Sequence, residues 1–154
     1  MKSKLRKSLQ KNKFVFTAET SPPDSWNKEV IIKQVECLKY LADAVNVTDG
    51  AGAKSHMSAL ATAVILAQNS IEPVLQFTTR DRNRIAIQGD LLGGWALNVP
   101  NILCLYGDEV KGGDQPETKE VRDLDTISLL KTAHDIKINK TYPSGRKIDE
   151  APEF

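Results

Sequence analysis

The residues of this chain best equipped for chemistry are Glu19, the triplet Thr48-Asp49-Gly50, Gln76 with the run from Thr78 to Asp81, and Gly107-Asp108. Carboxyl groups give and take protons, while amide, hydroxyl and guanidinium groups grip polar ligands. Position is what singles these residues out, because each cluster closes a short β-prone run. Taken one at a time they have plainer readings. Glu19 before Pro22-Pro23 fits a solvated loop carboxylate, Asp49-Gly50 a simple turn, and Gly107-Asp108 ordinary turn chemistry. The run Arg80-Asp81-Arg82-Asn83-Arg84 fits a solvated helix start with Asp81 or Asn83 as its cap. Four polar clusters at equivalent places in four successive units are harder to assign to turns alone.

The elements that position them follow from hydrophobic spacing. β-prone runs at residues 14–19, 44–48, 73–78 and 101–106 begin roughly 30 residues apart, the length of one βα unit. Between the first two, residues 27–43 put Ile31, Val35, Leu38 and Ala42 on one helical face, with Asp24 or Ser25 as cap. The next helix turns Leu60, Ala63, Val64 and Ala67 inward. Residues 83–96 place Ile85, Leu92 and Trp95 on one side, and Gly89 and Gly93 at helical spacing are expected to let that helix approach a sheet closely. Asp125 caps a further helix carrying Leu129, Leu130, Ala133 and Ile136, and a polar, turn-rich tail covers residues 139–154. Alternating strands and helices imply a parallel sheet covered by helices. Right-handed crossovers then bring every strand's carboxyl end to one rim, the place where barrels hold ligands. An open doubly wound sheet is the competing architecture, although no G-x-G-x-x-G follows the first strand.

Composition narrows the class. The 154 residues are 40% hydrophobic and 27% charged, as in a soluble globular domain. A net charge of +1 gives no global field for nucleic acid or a membrane surface, and no apolar run is long enough to span a bilayer. Cations crowd only the start, at Lys2, Lys4, Arg6, Lys7, Lys11 and Lys13. With Leu5 and Leu9 four apart, residues 1–13 read as a leading basic helix rather than a targeting signal. Cys37 and Cys104 fit no metal or redox spacing, so no metal site is expected. Both read as reduced core residues, which points to a cytoplasmic protein.

At these same residues the sequence resembles the methylenetetrahydrofolate reductase family. The matching motifs are Phe16-Thr-Ala-Glu19-Thr-Ser-Pro22-Pro23, Val45-Asn-Val-Thr48-Asp49-Gly50, Thr79-Arg-Asp-Arg-Asn83 and Asn101-Ile-Leu-Cys-Leu-Tyr-Gly107-Asp108. Asp123-Leu-Asp125 and the helix with Leu129-Leu130 follow in the same order. Tyr106 stands where some family members carry Arg, and Gln76 where some carry His.

The resemblance implies an α/β fold of the (β/α)₈ TIM-barrel type. Only about the first four βα units are visible, so residues 1–154 are expected to be the N-terminal half of a barrel of roughly twice the length. It also implies an enzyme of one-carbon metabolism that binds FAD, or less often FMN. That enzyme reduces 5,10-methylenetetrahydrofolate to 5-methyltetrahydrofolate with electrons from NAD(P)H or another donor. Glu19 matches the family's general acid, with Phe16 and Pro22-Pro23 expected to desolvate it. Asp108 matches a residue near flavin and pterin that faces the cationic form of the folate. Thr48 matches a flavin-contacting position, and Asp49, Gln76, Thr78, Arg80 and Gly107 are flavin candidates beside it. Trp26 and Trp95 are expected to be structural. A homo-oligomer fits this reading. A shortened, non-catalytic paralogue that binds flavin or folate is the alternative, and a flavin-free pterin-binding barrel, such as a folate-dependent methyltransferase, is a third.

Overall fold

Four strands, β1 (Thr17–Thr20), β2 (Ala44–Val47), β3 (Pro73–Thr78) and β4 (Asn101–Leu105), lie side by side in chain order and all run parallel in the computed structural model. The structure describes residues 3–154; Met1 and Lys2, the first residues of the expected leading helix, lie outside the described residues. Around the sheet come α1 (Lys4–Gln10), α2 (Lys28–Val35), α3 (Ala59–Gln68), α4 (Arg84–Ala96) and α5 (Thr126–His134). The order is the repeated strand-then-helix pattern expected from the spacing, a parallel α/β sheet of the kind found in TIM-barrel folds.

Strand periodicity decides which residues reach the site. Side chains alternate faces, so Val45, Val47, Leu75, Phe77 and Cys104 point into the helices, among Ile31, Val35, Ala63, Leu66, Ile87, Leu91, Leu129 and Ile136. Each fully buried large apolar side chain here contributes roughly 1.5–3 kcal/mol. The same alternation sends Glu19, Gln76, Thr78 and Leu105 to the opposite face, where they meet at one cleft. Gln76 pairs in register with Leu103 and Thr78 with Leu105, which aligns the carboxyl ends of β3 and β4.

Several local expectations shift. Pairing of β1 starts only at Thr17, opposite Ala44; Phe16 is held instead by its N–H to the Asp43 carboxylate at 2.8 Å and is 61% exposed. Asn27, not Asp24 or Ser25, caps α2, accepting the Glu29 N–H at 3.0 Å. That helix ends at Val35 and gives way to a 3₁₀ turn at Glu36–Leu38, so Cys37 is exposed rather than in the core. Cys104 is buried, and burial pushes its thiol up to about 11. On α3 the fully inward face is Ala59, Thr62, Ala63 and Leu66, with Leu60, Val64 and Ala67 at its margin. On α4 it is Ile87, Leu91 and Gly94, while Ile85 is 76% exposed. Gly89 and Gly93 have open space beside them, and the close approach falls at Gly94, where a Cβ would lie 3.4 Å from Leu60. On α5, Leu129 and Ala133 are buried, as is Ile136 in the helical turn Asp135–Asn139 that follows, but Leu130 is half exposed. Trp26 is 93% exposed, whereas Trp95 packs edge-on against Phe154 with ring centroids 6.5 Å apart.

The leading helix does form, and a carboxylate anchors it. Glu72, just before β3, accepts the N–H groups of Lys4 at 2.7 Å and Leu5 at 3.0 Å and the Ser3 hydroxyl at 2.7 Å. A negative group at a helix start satisfies orphan donors and complements the helix dipole. The Asn101 amide also donates to the Glu72 carboxylate at 3.0 Å, so α1 is docked at the amino ends of β3 and β4, away from the cleft. Among the described residues no helix is long and apolar enough to cross a membrane.

Among the described residues, β1 pairs only with β2 and β4 only with β3, leaving two sheet edges without partners. Large apolar side chains stand exposed in the outermost units, Phe16, Trp26, Val30 and Tyr40 at one end and Leu103, Ile127 and Leu130 at the other. Open parallel edges beside apolar surface promote association. The 154-residue chain, purified alone and weighed by light scattering, is expected to self-associate as a dimer or larger species. A monodisperse monomer at tens of micromolar would contradict this.

Candidate functional site

The cleft at the carboxyl ends of the strands has a volume of about 390 Å³ and is lined by Glu19, Thr48, Asp49, Gln76, Thr78 and Asp108 with the segment from Leu105 to Gly107 and Ala51. That size falls within the range of small-molecule sites, about 300–1,000 Å³. Seven of the eight expected site residues meet here. Arg80 does not; it borders a neighbouring hollow with Asp81, Lys54 and Gln115.

Glu19 and Gln76 reach across the cleft floor, where the Gln76 amide donates to Glu19 Oε2 at 3.1 Å. The expected desolvation of Glu19 by Phe16 is not seen: Phe16 is turned to solvent and Glu19 is exposed. Thr48 is buried, with its hydroxyl donating to Ser21 Oγ at 3.0 Å and its N–H to the Thr20 carbonyl at 3.1 Å. Asp49 is a brace. One of its oxygens accepts the Thr78 N–H at 2.8 Å, the Thr78 hydroxyl at 3.1 Å and the Arg82 guanidinium, and Arg82 also reaches Asp90 at 3.1 Å.

Arg80 was expected to face a cofactor or solvent, yet it is only 3% exposed. Its guanidinium binds Asp81 through two bonds of 2.7 Å, the Gly50 carbonyl through two of 3.2 Å and the Asp108 carbonyl at 3.2 Å. Those five bonds use all five N–H donors of the group. The paired bond to Asp81 holds its pKa above the usual arginine value. Arg80 therefore ties together the loops after β2, β3 and β4. Gly50 has φ +60°, and a Cβ there would collide with the Arg80 guanidinium. Gly107 has φ +89° and packs so closely that a Cβ would lie 3.1 Å from Thr78 Cβ. Both positions need glycine for its left-handed backbone and for want of space.

Asp108 is exposed at the rim with Oδ2 accepting the Gly52 N–H at 2.8 Å, which links it to the loop after β2. The long segment between β4 and α5 folds back on it. Arg122 donates to the carbonyls of Tyr106 at 3.0 Å and Asp108 at 3.4 Å, and pairs with Glu120 at 2.5 Å. Sequence reasoning treated this segment only as a polar loop and missed Glu120, Arg122 and the Asp49–Arg82 pair. The short Glu120-x-Arg122 spacing was a signal, but nothing in it says what the pair would hold. Asn83 proves to be the cap of α4, accepting the Ile85 and Ala86 N–H groups at 3.1 Å. Asp125 caps α5 with Ser128 closing a capping box.

Fold and cleft together define an α/β protein with a polar cleft at the carboxyl ends of a parallel sheet. The family model for methylenetetrahydrofolate reductase matches residues 4–152, and the chain belongs to that family. No curated protein matches it. The family suggests an oxidoreductase acting on a folate.

Two ion pairs around the rim carry a pH signature. The Arg122 side chain, then the Val110 N–H, hold the Glu120 carboxyl down at about 2, and Arg84 does the same for Asp123. A carboxyl whose folded pKa is depressed adds stability that is fully present above its unfolded value, about 4. That stability is lost as pH falls from there toward 2. Carboxyl NMR titration should place both groups well below free Asp and Glu. The loop after β4 should stay protected from hydrogen exchange at pH 5 and open near pH 2. Midpoints near 4 for both would show the pairs are not formed in solution.

Proposed function

We propose that residues 1–154 form the N-terminal half of a (β/α)₈ barrel that reduces 5,10-methylenetetrahydrofolate to 5-methyltetrahydrofolate with a bound flavin, in the cytoplasm. The observation that supports this best is that carboxylates from the first and fourth strand units, Glu19 and Asp108, line one cleft with Gln76, Thr48 and Thr78 between them. The donors and acceptors there suit the polar edge of a flavin, either FAD or FMN: a hydroxyl at Thr78, an amide at Gln76, and a close-packed Gly107. When bound, the flavin supplies hydride transfer, with NAD(P)H or another donor as the electron source.

The chain's own residues do the rest. The folate's five-membered ring opens only if its departing nitrogen receives a proton. Glu19 is the donor of that proton, and the amide of Gln76 fixes the direction in which its carboxyl points. Substrate lying over Glu19 excludes the water that the Phe16 side chain leaves in place. Ring opening creates a cation, and the Asp108 carboxylate, anchored by Gly52 N–H, presents a fixed negative charge to it. Because Arg80 and Arg122 both hold the Asp108 backbone, that charge is preorganised.

Glu19→Gln in the holoenzyme keeps the shape and removes the proton. Folate reduction should fall about 100-fold or more, the usual scale of general acid catalysis. Flavin reduction by the electron donor should persist in stopped-flow traces, because it needs no ring opening. Equal loss of both half-reactions would make Glu19 structural instead.

Asp108→Asn should slow folate reduction and raise the reduction potential of the bound flavin, since a nearby negative charge opposes the addition of electrons. Potentiometric titration beside turnover assays reads both effects. An unchanged potential with unchanged folate turnover would remove Asp108 from the site.

A further inference from the structure

Residues 1–13 hold six of the chain's 21 cationic residues and none of its 20 acidic ones. The reaction proposed above uses none of them. On α1 two of these cations border a hollow of about 470 Å³ that opens between that helix and the helical turn Asp135–Asn139. Its wall includes Arg6 and Lys7 from the helix, Lys137 and Ile138 from the turn, and Glu153 from the tail. It shares no residue with the cleft. Because Glu72 docks α1 at the amino ends of β3 and β4, the hollow lies at the opposite end of the sheet.

Cations gathered around one hollow repel each other unless something negative lies between them. At the rim, Arg80, Arg82, Arg84 and Arg122 each pair with a carboxylate. Among the described residues, Arg6, Lys7 and Lys137 form no such pair. Arg6 donates to the Glu153 carbonyl at 3.2 Å, and Lys137 donates to the Phe154 carbonyl. Backbone acceptors thus fix where both heads lie and leave their charges unmatched. Lys137 is half-buried, and its pKa is held below the usual lysine value, first by burial and then by the charge of Arg6, against the pull of Glu153. Three cations against one carboxylate leave the wall with two net positive charges.

We propose that this hollow between α1 and the turn after α5 is a binding site for a phosphate group, held by Arg6, Lys7 and Lys137. A phosphate ester carries roughly −1.5 to −2 charge at pH 7 and three strong acceptor oxygens, which matches the charge of the wall. A single carboxylate would leave one positive charge unmatched. The guanidinium offers a planar pair of donors, and the two ammonium groups add point charges from different sides. The hollow is larger than a bare phosphate needs and falls in the range of small-molecule sites, about 300–1,000 Å³. A second hollow of about 570 Å³ shares Arg6 and Lys137 with it and presents Leu5, Leu9, Leu130 and Phe154. The organic part of a phosphate ester would meet that apolar surface. The site is separate from the cleft and does not depend on the flavin and folate reading.

The test is calorimetric titration of the full chain, at fixed ionic strength, with inorganic phosphate and with phenyl phosphate. Saturable binding is expected. Arg6→Gln and Lys137→Gln should each weaken it about 5-fold or more, the scale of one charge-assisted contact. Glu153→Gln should tighten it, because it removes the carboxylate from the wall. Lys11→Gln and Lys13→Gln, at positions outside the hollow, should change it little. Tighter binding of phenyl phosphate assigns the site to a phosphate ester, and equal affinities assign it to free phosphate. If neither probe binds, the site is overturned. It is also overturned if Arg6→Gln and Lys137→Gln leave binding unchanged, or if Lys11→Gln and Lys13→Gln weaken it as much as they do, which would reduce the hollow to diffuse surface charge. Neither result bears on Glu19 and Asp108 in the cleft. Should Arg6→Gln or Lys137→Gln fail to fold by thermal melting, Lys7→Gln and Glu153→Gln, both at exposed positions, decide through their opposite effects on affinity.

Discussion

A single buried guanidinium holds the rim together. Arg80 lies at the end of β3 and spends its five N–H groups on the loops around it, with Asp81 neutralising it and the carbonyls of Gly50 and Asp108 completing its shell. A buried arginine is tolerable only when it is paired and its donors are all met. That condition fixes its neighbours. Gly50 must be left-handed to present its carbonyl, and Gly107 must lack a side chain so that β4 can close on Thr78 and Arg80. The loops after three strands are thereby tied to one another.

Around that brace, the polar residues divide into those held by several bonds and those held by one. Asp49, Arg82, Glu120 and Arg122 form ion pairs and hold backbone groups. Glu19 and Asp108 are less committed: each accepts one bond at its side chain and stands exposed at the cleft. A carboxylate saturated with donors is a poor proton shuttle, whereas one anchored at a single oxygen keeps its orientation and its reactivity. The division of labour among carboxylates thus follows from how many donors each one faces, not from residue type.

The far end of the sheet is built by the same rule. Glu72 gathers the N–H groups that open α1, the Ser3 hydroxyl and the Asn101 amide, and so ties the basic leading helix beneath β3 and β4. The polar groups that line the cleft lie at the opposite end of the sheet, the end at which parallel α/β folds hold ligands.

Much of this is written in local sequence. Spacing of the β-prone runs determined four βα units, parallel pairing and a common rim, because period-two strands and period-3.6 helices leave different apolar patterns. The motifs around Glu19, Thr48, Gln76 and Asp108 pointed to residues that do line one cleft. Tertiary structure alone decided the rest. Helix phase on α4 turned Ile87 rather than Ile85 into the core, which apolar spacing alone did not show. Whether Gly93 or Gly94 took the close contact depended on where Leu60 of α3 lay. Arg80 read as a surface charge because nothing near it in sequence, beyond Asp81, announces the carbonyls of Gly50 and Asp108 that let it be buried. Arg122 reaches Tyr106 only because a long loop folds back, a contact with no local signature. Sequence patterns record the preferences of single elements, whereas a site is made of distances between elements, and those exist only once the chain has closed on itself.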